Sequence, residues 1–193
     1  MAFRKVRDFL YVMREKNIVR EGMEMAFLTL KVFCGLHVAN KYLFTIVLPY
    51  GPSMLPTLSL NGDLILAERV STRLGSVDRG DIVLVRSPLH PTVVVTKRLI
   101  GLEGDSVSYV VEPGKSDRTD TTVVPKGHVW VEGDNIYASR DSRNFGPVPY
   151  GLLEGKFIWR IWPPKDFGSL GPNKTEPISD KVSRTYIFFN TNS

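Results

Sequence analysis

Hydrophobic positions along this chain follow two regimes, helical spacing or one long apolar run up to Leu48, then short alternating stretches punctuated by turns after Pro49. In segment 1–24, Phe3, Val6, Leu10 and Met13 mark one side of a helix, and Arg4, Lys5, Arg7, Arg14, Lys16 and Arg20 supply a basic polar side. That pattern suits an amphipathic targeting segment or a solvated surface helix; Asp8, Glu15, Glu21 and Glu24 speak against the first, because transit peptides are poor in acids. Segment 25–48 is long and apolar enough for a membrane anchor, yet Lys31, His37, Asn40 and Lys41 interrupt it. A central lysine costs roughly 2.5–3.5 kcal/mol on insertion scales, and snorkelling reduces this, so spanning, interfacial and buried placements all stay open. If the segment spans, the basic residues before it favour an N-terminus on the side of synthesis or in an organelle interior.

Beyond Pro49 the β-branched runs at 64–70, 82–86, 92–100, 106–111, 128–132 and 156–162 have strand length, and Gly-Asp pairs at Gly62-Asp63, Gly80-Asp81, Gly104-Asp105 and Gly133-Asp134 mark turns between them. The expectation is a mainly β domain over 49–163, a partly closed meander without helices, with 112–126 as a polar surface loop or small excursion. Segment 164–193, rich in Gly, Pro, Asn and Ser, reads as a weakly ordered tail despite Tyr186-Ile187-Phe188-Phe189.

Composition narrows the function classes. The 193 residues carry a net charge of +5, which suits an anionic membrane surface, but the basic residues form no run and no RNA-binding aromatic signature or zinc-ligand spacing accompanies them, so nucleic acid is not expected as a partner. Cys34 is the only cysteine, which removes intrachain disulfides and cysteine metal cages.

Candidate chemistry gathers in three places. In Gly51-Pro52-Ser53-Met54-Leu55-Pro56-Thr57-Leu58 a serine stands between two prolines that restrict the backbone, as a nucleophile needs; taken alone, it reads as a turn serine, and something must activate it. The histidines His37, His90 and His128 form no triad pattern, so activation would fall to a lysine with a lowered pKa. Strand alternation puts Val93, Val95, Lys97 and Leu99 on one face and Arg98 on the other, so Lys97 emerges among apolar neighbours or snorkels from a strand edge. The polar loop 133–146 is either solvated surface or a support for that amine, with Ser139 bonding it and an Asp141–Arg143 ion pair setting the loop's shape.

Together the three segments resemble the signal peptidase I family, and within it the mitochondrial inner membrane branch, notably first-subunit plant sequences. Ser53 matches the nucleophile of the Ser-Met-x-Pro-Thr box, and Lys97 the general base of the Lys-Arg-x-x-Gly-x-x-Gly-Asp box ending at Asp105. Gly80-Asp81-Ile82-Val83 is similar to the intervening box, and in the Gly-Asp-Asn…Ser-x-Asp-Ser-Arg box Ser139 matches the serine that orients the lysine, with Asp141 and Arg143 the structural pair. The resemblance covers roughly 36–163. It implies a serine endopeptidase working by a Ser-Lys dyad through an acyl-enzyme, without cofactor or metal. It further implies precursor proteins with cleavable sorting signals as substrates, a second related peptidase subunit as partner, and a mitochondrial inner membrane location with the active site facing the intermembrane space. Many bacterial members carry a serine hydroxyl for the oxyanion hole where this chain has Gly51, which leaves the Ser53 backbone N–H as the identifiable donor. Alternatives are the sister subunit, a chloroplast relative, a self-cleaving repressor-type protease, or a catalytically silent β-module for protein or membrane binding.

Overall fold

The computed structural model describes residues 2–111, 113–114 and 118–171. It divides into a unit ending at Leu43 and a unit beginning at Phe44. The first unit is a single helix, α1 (Ala2–Tyr42), whose 41 residues correspond to about 60 Å at 1.5 Å per residue. Its stretch Ile18–Tyr42 is long and apolar enough to cross a bilayer, and Phe27, Leu28, Leu30, Phe33 and Leu36 along it are exposed.

Two expectations change here. No break separates 1–24 from 25–48, because Arg20, Glu21 and Glu24 interrupt the apolar pattern without interrupting good helix formers. The helix also stops before Leu48: Phe44-Thr45-Ile46-Val47 is β-branched and forms β1 (Phe44–Val47), so residues 44–48 belong to the sheet unit rather than to the anchor.

The second unit is built on an antiparallel eight-stranded sheet. Along it run β1, β2 (Leu64–Glu68), β9 (Leu153–Trp162), β3 (Ile82–Arg86), β4 (Val94–Gly101), β7 (His128–Glu132) and β8 (Val148–Pro149), with β10 (Gly168–Ser169) on β9. The mainly β expectation holds. β3 sits centrally and is buried on both faces: Val83 and Val85 pack with Val77, Leu99, Val129, Val131, Val148 and Leu153, while Ile82 and Leu84 pack with Met54, Leu58, Ile65, Ala67 and Phe157. A strand with a core on each side reads as an unbroken apolar run, which is why its limits were visible in the sequence.

A hairpin of β5 (Ser106–Val110) and β6 (Thr119–Val123) forms a separate two-stranded sheet over Val107, Val124 and Trp130. β6 occupies part of the expected 112–126 loop; its Thr-Asp-Thr-Thr run is almost wholly exposed and shows no apolar alternation, though threonine favours strands. Two short helices, α2 (Val70–Leu74) and α3 (Ser142–Phe145), also depart from the helix-free expectation. The start of the expected tail is ordered, since Gly168 and Ser169 pair with Arg160 and Trp159; Tyr186-Ile187-Phe188-Phe189 lies outside the described residues.

The Gly-Asp pairs prove to be more than turns. Asp63, Asp81 and Asp105 accept backbone N–H bonds from Ser59, Asp78 and Leu102, three or four residues upstream. Their carboxylates also meet Arg160, Lys156 and Arg79, cations distant in sequence. Each aspartate thus closes its own turn and pins it to another part of the fold.

Candidate active site

Ser53 lies in a one-turn 3-10 helix, Pro52–Met54, with Pro52 in its first turn, where a missing N–H costs nothing. Gly51 opens that turn at φ 101°, a backbone conformation that disfavours any side chain, and its N–H is bonded to Leu60 O at 2.8 Å. The next residue, Met54, and Leu58 are 3% and 2% exposed in the core beneath β3, so the chain just after the half-buried serine is plugged into the domain.

The turn packs against β4, which carries Lys97. Lys97 faces Val83 across the ladder, with Val95 and Leu99 of its own strand in the same core. Its residue surface is only 3% exposed, and burial holds its pKa below the ordinary lysine value; Asp141 opposes this shift, Arg143 reinforces it, and Asp134 opposes it. Lys97 Nζ donates to Ser139 Oγ at 2.9 Å, so in this structure the amine is bonded to Ser139 rather than to Ser53.

The loop after β7 joins these elements. Asn135 N–H donates to Ser53 O at 3.1 Å, and a Cβ placed on Gly133 would lie within 2.5 Å of both Ser53 O and the Ser139 side chain. The Ser53 carbonyl and the Ser139 hydroxyl therefore lie a few ångströms apart, on either side of a position only glycine can fill. The Asp141 carboxylate is fully buried and accepts from Gly133 N at 2.8 Å and Arg143 Nε at 2.8 Å. Burial pushes the Asp141 carboxyl up, but the bonds from Arg143 and Gly133 outweigh it and hold the pKa below the ordinary value. Asp141 also caps α3 in a reciprocal capping box with Asn144, which shapes the loop's far end.

Sequence reasoning did not single out Arg98, the neighbour of Lys97. Its guanidinium forks onto Asp134 with bonds of 2.7 and 2.6 Å, donates to Gly80 O at 2.7 Å and reaches Thr57 Oγ1 at 3.4 Å. One side chain ties the loop after Ser53, the turn before β3 and the loop carrying Ser139 to the strand carrying Lys97. The available signal was alternation itself, which placed Arg98 on the face opposite Lys97. Among the described residues, no group of three His, Cys, Asp or Glu side chains is gathered so as to hold a metal ion.

A family model described as signal peptidase, peptidase S26, matches residues 22–113 and 111–162. The chain belongs to this family. Signal peptidase relatives include the mitochondrial ATP-independent inner membrane protease subunit 1b of Arabidopsis thaliana, 54% identical over 81% of this chain and 92% of that protein. Mouse mitochondrial inner membrane protease subunit 1 is 41% identical over 80% of this chain and 92% of its own length. Subunit 2 of the zebrafish protease is 41% identical over 64% of this chain and 67% of that protein. Among solved structures, a signal peptidase I from Enterococcus faecalis matches with 28% identity over 42% of this chain and 95% of that one, at a TM-score of 0.36. The first-subunit, plant-like resemblance read from the boxes is borne out, and this signal peptidase is a serine endopeptidase with a helix suited to membrane anchoring.

Proposed function

We propose that Ser53 is the nucleophile and Lys97 the general base of this peptidase. The observation that carries the reading is the buried Lys97 amine, held by Ser139 beside the Ser53 turn, its charged form disfavoured by burial. With one N–H spent on Ser139, the neutral amine keeps its lone pair for the Ser53 proton, and the contact tightens when substrate closes the site. Oγ bonds to the scissile carbonyl carbon, the proton passes through Nζ to the leaving amine, and the C–N bond breaks to leave an acyl-enzyme. Water deprotonated by Lys97 then attacks the ester, releasing the acid and restoring Ser53.

Ser139 positions Lys97, and the Asp141–Arg143 pair fixes the loop that carries Ser139. Oxyanion stabilisation falls to the Ser53 N–H, since Pro52 has none and Gly51 has no side chain. The substrate docks as an added strand. β7 pairs with β4 only at Arg98, Leu99 and Gly101, so Val94 to Lys97 have β3 on one edge and no described strand on the other. The residues ahead of the scissile bond fit that open edge, which runs up to the lysine.

The names of the relatives support a mitochondrial inner membrane location and a related second subunit as partner, and membership of the signal peptidase family supports precursors with cleavable sorting signals as substrates. The basic residues near the start of α1 support a catalytic unit facing the intermembrane space. Ser53→Ala and Lys97→Ala, expressed in membranes lacking the native enzyme, are expected to accumulate uncleaved precursor while staying folded and membrane-bound. Normal processing by either variant refutes the dyad.

A further inference from the structure

The loop between the two catalytic supports also carries an apolar surface that the dyad does not use. Asn135 is bonded to the nucleophile's carbonyl and Ser139 to the lysine, and between them Ile136 and Tyr137 are 37% and 63% exposed. Their position is fixed rather than floppy: Asn135 Oδ1 accepts the Tyr137 N–H at 3.2 Å, and Asn135 O accepts the Ala138 N–H at 3.3 Å. On its far side the Tyr137 ring lies against Gly114 in the turn between β5 and β6, where a Cβ would meet the ring at 3.5 Å. The catalytic loop and the hairpin thus form one wall, with an aromatic ring at their junction.

We propose that Tyr137, with Ile136, contacts the two or so precursor residues that follow the scissile bond and selects apolar side chains there. The inference rests on the Ser53–Lys97 reading. A chain laid along the open edge of β4 reaches Lys97 and then meets β7, which begins pairing at Arg98 through Glu132. It cannot continue straight, so the half beyond the scissile bond must leave across the loop that exits β7. Within that loop Asp134 and Ser139 spend their side chains on Arg98 and Lys97, and Asn135 caps its own turn. Ile136 and Tyr137 offer apolar contact without competing hydrogen bonds from the active site, and an aromatic ring seated on glycine backbone loses little freedom on binding.

The test uses the full-length enzyme in proteoliposomes and a series of precursor reporters that differ only in the two residues after the cleavage point: Gly-Gly, Leu-Phe or Asp-Asp. Wild type is expected to cleave the Leu-Phe reporter with about tenfold higher kcat/KM than Asp-Asp, the scale of a modest apolar contact. Tyr137→Ser is expected to shrink that ratio to about twofold, and Tyr137→Phe to preserve it. An unaltered ratio in Tyr137→Ser overturns the proposal, as does an equal loss on all three reporters, which marks a purely structural role. Ser53→Ala is run alongside; cleavage by that variant sinks the catalytic reading instead, whatever Tyr137 does.

Discussion

Gly133→Ala isolates the geometry of the site from its chemistry. The glycine has no left-handed backbone conformation to defend, so alanine is objectionable there only for the space it takes. Its methyl would lie 2.5 Å from Ser53 O and as close or closer to the Ser139 side chain, where real Cβ atoms stay beyond 3.0 Å. Relief requires the Ser53 turn and the Ser139 side chain to separate by roughly half to one ångström, and under the proposed Ser53–Lys97 dyad a 1 Å misplacement costs about 10²-fold. At 1.36 kcal/mol per decade this is about 2.7 kcal/mol in the barrier, while overpacking costs the fold about 1–3 kcal/mol. Reporter cleavage and thermal unfolding by circular dichroism measure the two. The expected result is kcat/KM down about 100-fold, mostly in kcat, in a protein that still folds cooperatively. Gly151→Ala, where a Cβ meets nothing within 4 Å and φ is ordinary, serves as the control with unchanged activity. A Gly133→Ala enzyme within threefold of wild type would falsify the claim that this position sets the spacing between Ser53 and Ser139.

Further outcomes follow from the charges around Lys97. Asp141→Asn removes an anion that favours charged Lys97 and leaves Arg143, which disfavours it, so the acid limb of the kcat/KM–pH profile should move to lower pH; an upward move contradicts the assignment. The same variant takes from a buried guanidinium its ion-paired carboxylate and should lose about 3–5 kcal/mol in urea unfolding. In the wild type, the depressed Asp141 pKa gives stability that is present above the unfolded carboxylate pKa and lost as pH falls through the folded one. The depressed Lys97 pKa means the unfolded state binds more protons between the folded and unfolded lysine values, so stability rises with pH across that window. Arg98→Ala should cost about 1.5–3 kcal/mol in unfolding through the orphaned Asp134, and lower activity as the loops around Ser53 and Ser139 loosen; full retention of both would dismiss its bracing role. On alkaline carbonate extraction the protein should stay with the membrane pellet, and release into the supernatant counts against a spanning α1.

What could be read from the sequence was whatever local pattern alone determines. β3 and β7 were legible to the residue because both are short apolar runs buried in the core. Lys97 was assigned to the right face because alternation is enforced by Val95 and Leu99 packing beneath the strand. β1 was hidden inside an apolar run shared with the helix, since hydrophobicity does not distinguish a membrane span from the strand that follows it. β6 went unseen because it turns nearly every side chain to solvent. The brace at Arg98 and the carboxylate staples at Asp63, Asp81 and Asp105 join residues far apart in the chain. Local periodicity carries no record of such pairings, and only their glycine-aspartate spelling hinted at them.

The stretch of β4 edge that no described strand covers carries a wider consequence for the proposed docking. Bare amide and carbonyl groups cannot tell valine from serine, yet they demand a partner that is pulled straight. A precursor arriving coiled as a helix, or locked in a finished domain, would have to be unwound locally before the serine could reach it. The timing of cleavage would then be governed as much by the shape of the incoming chain as by its spelling.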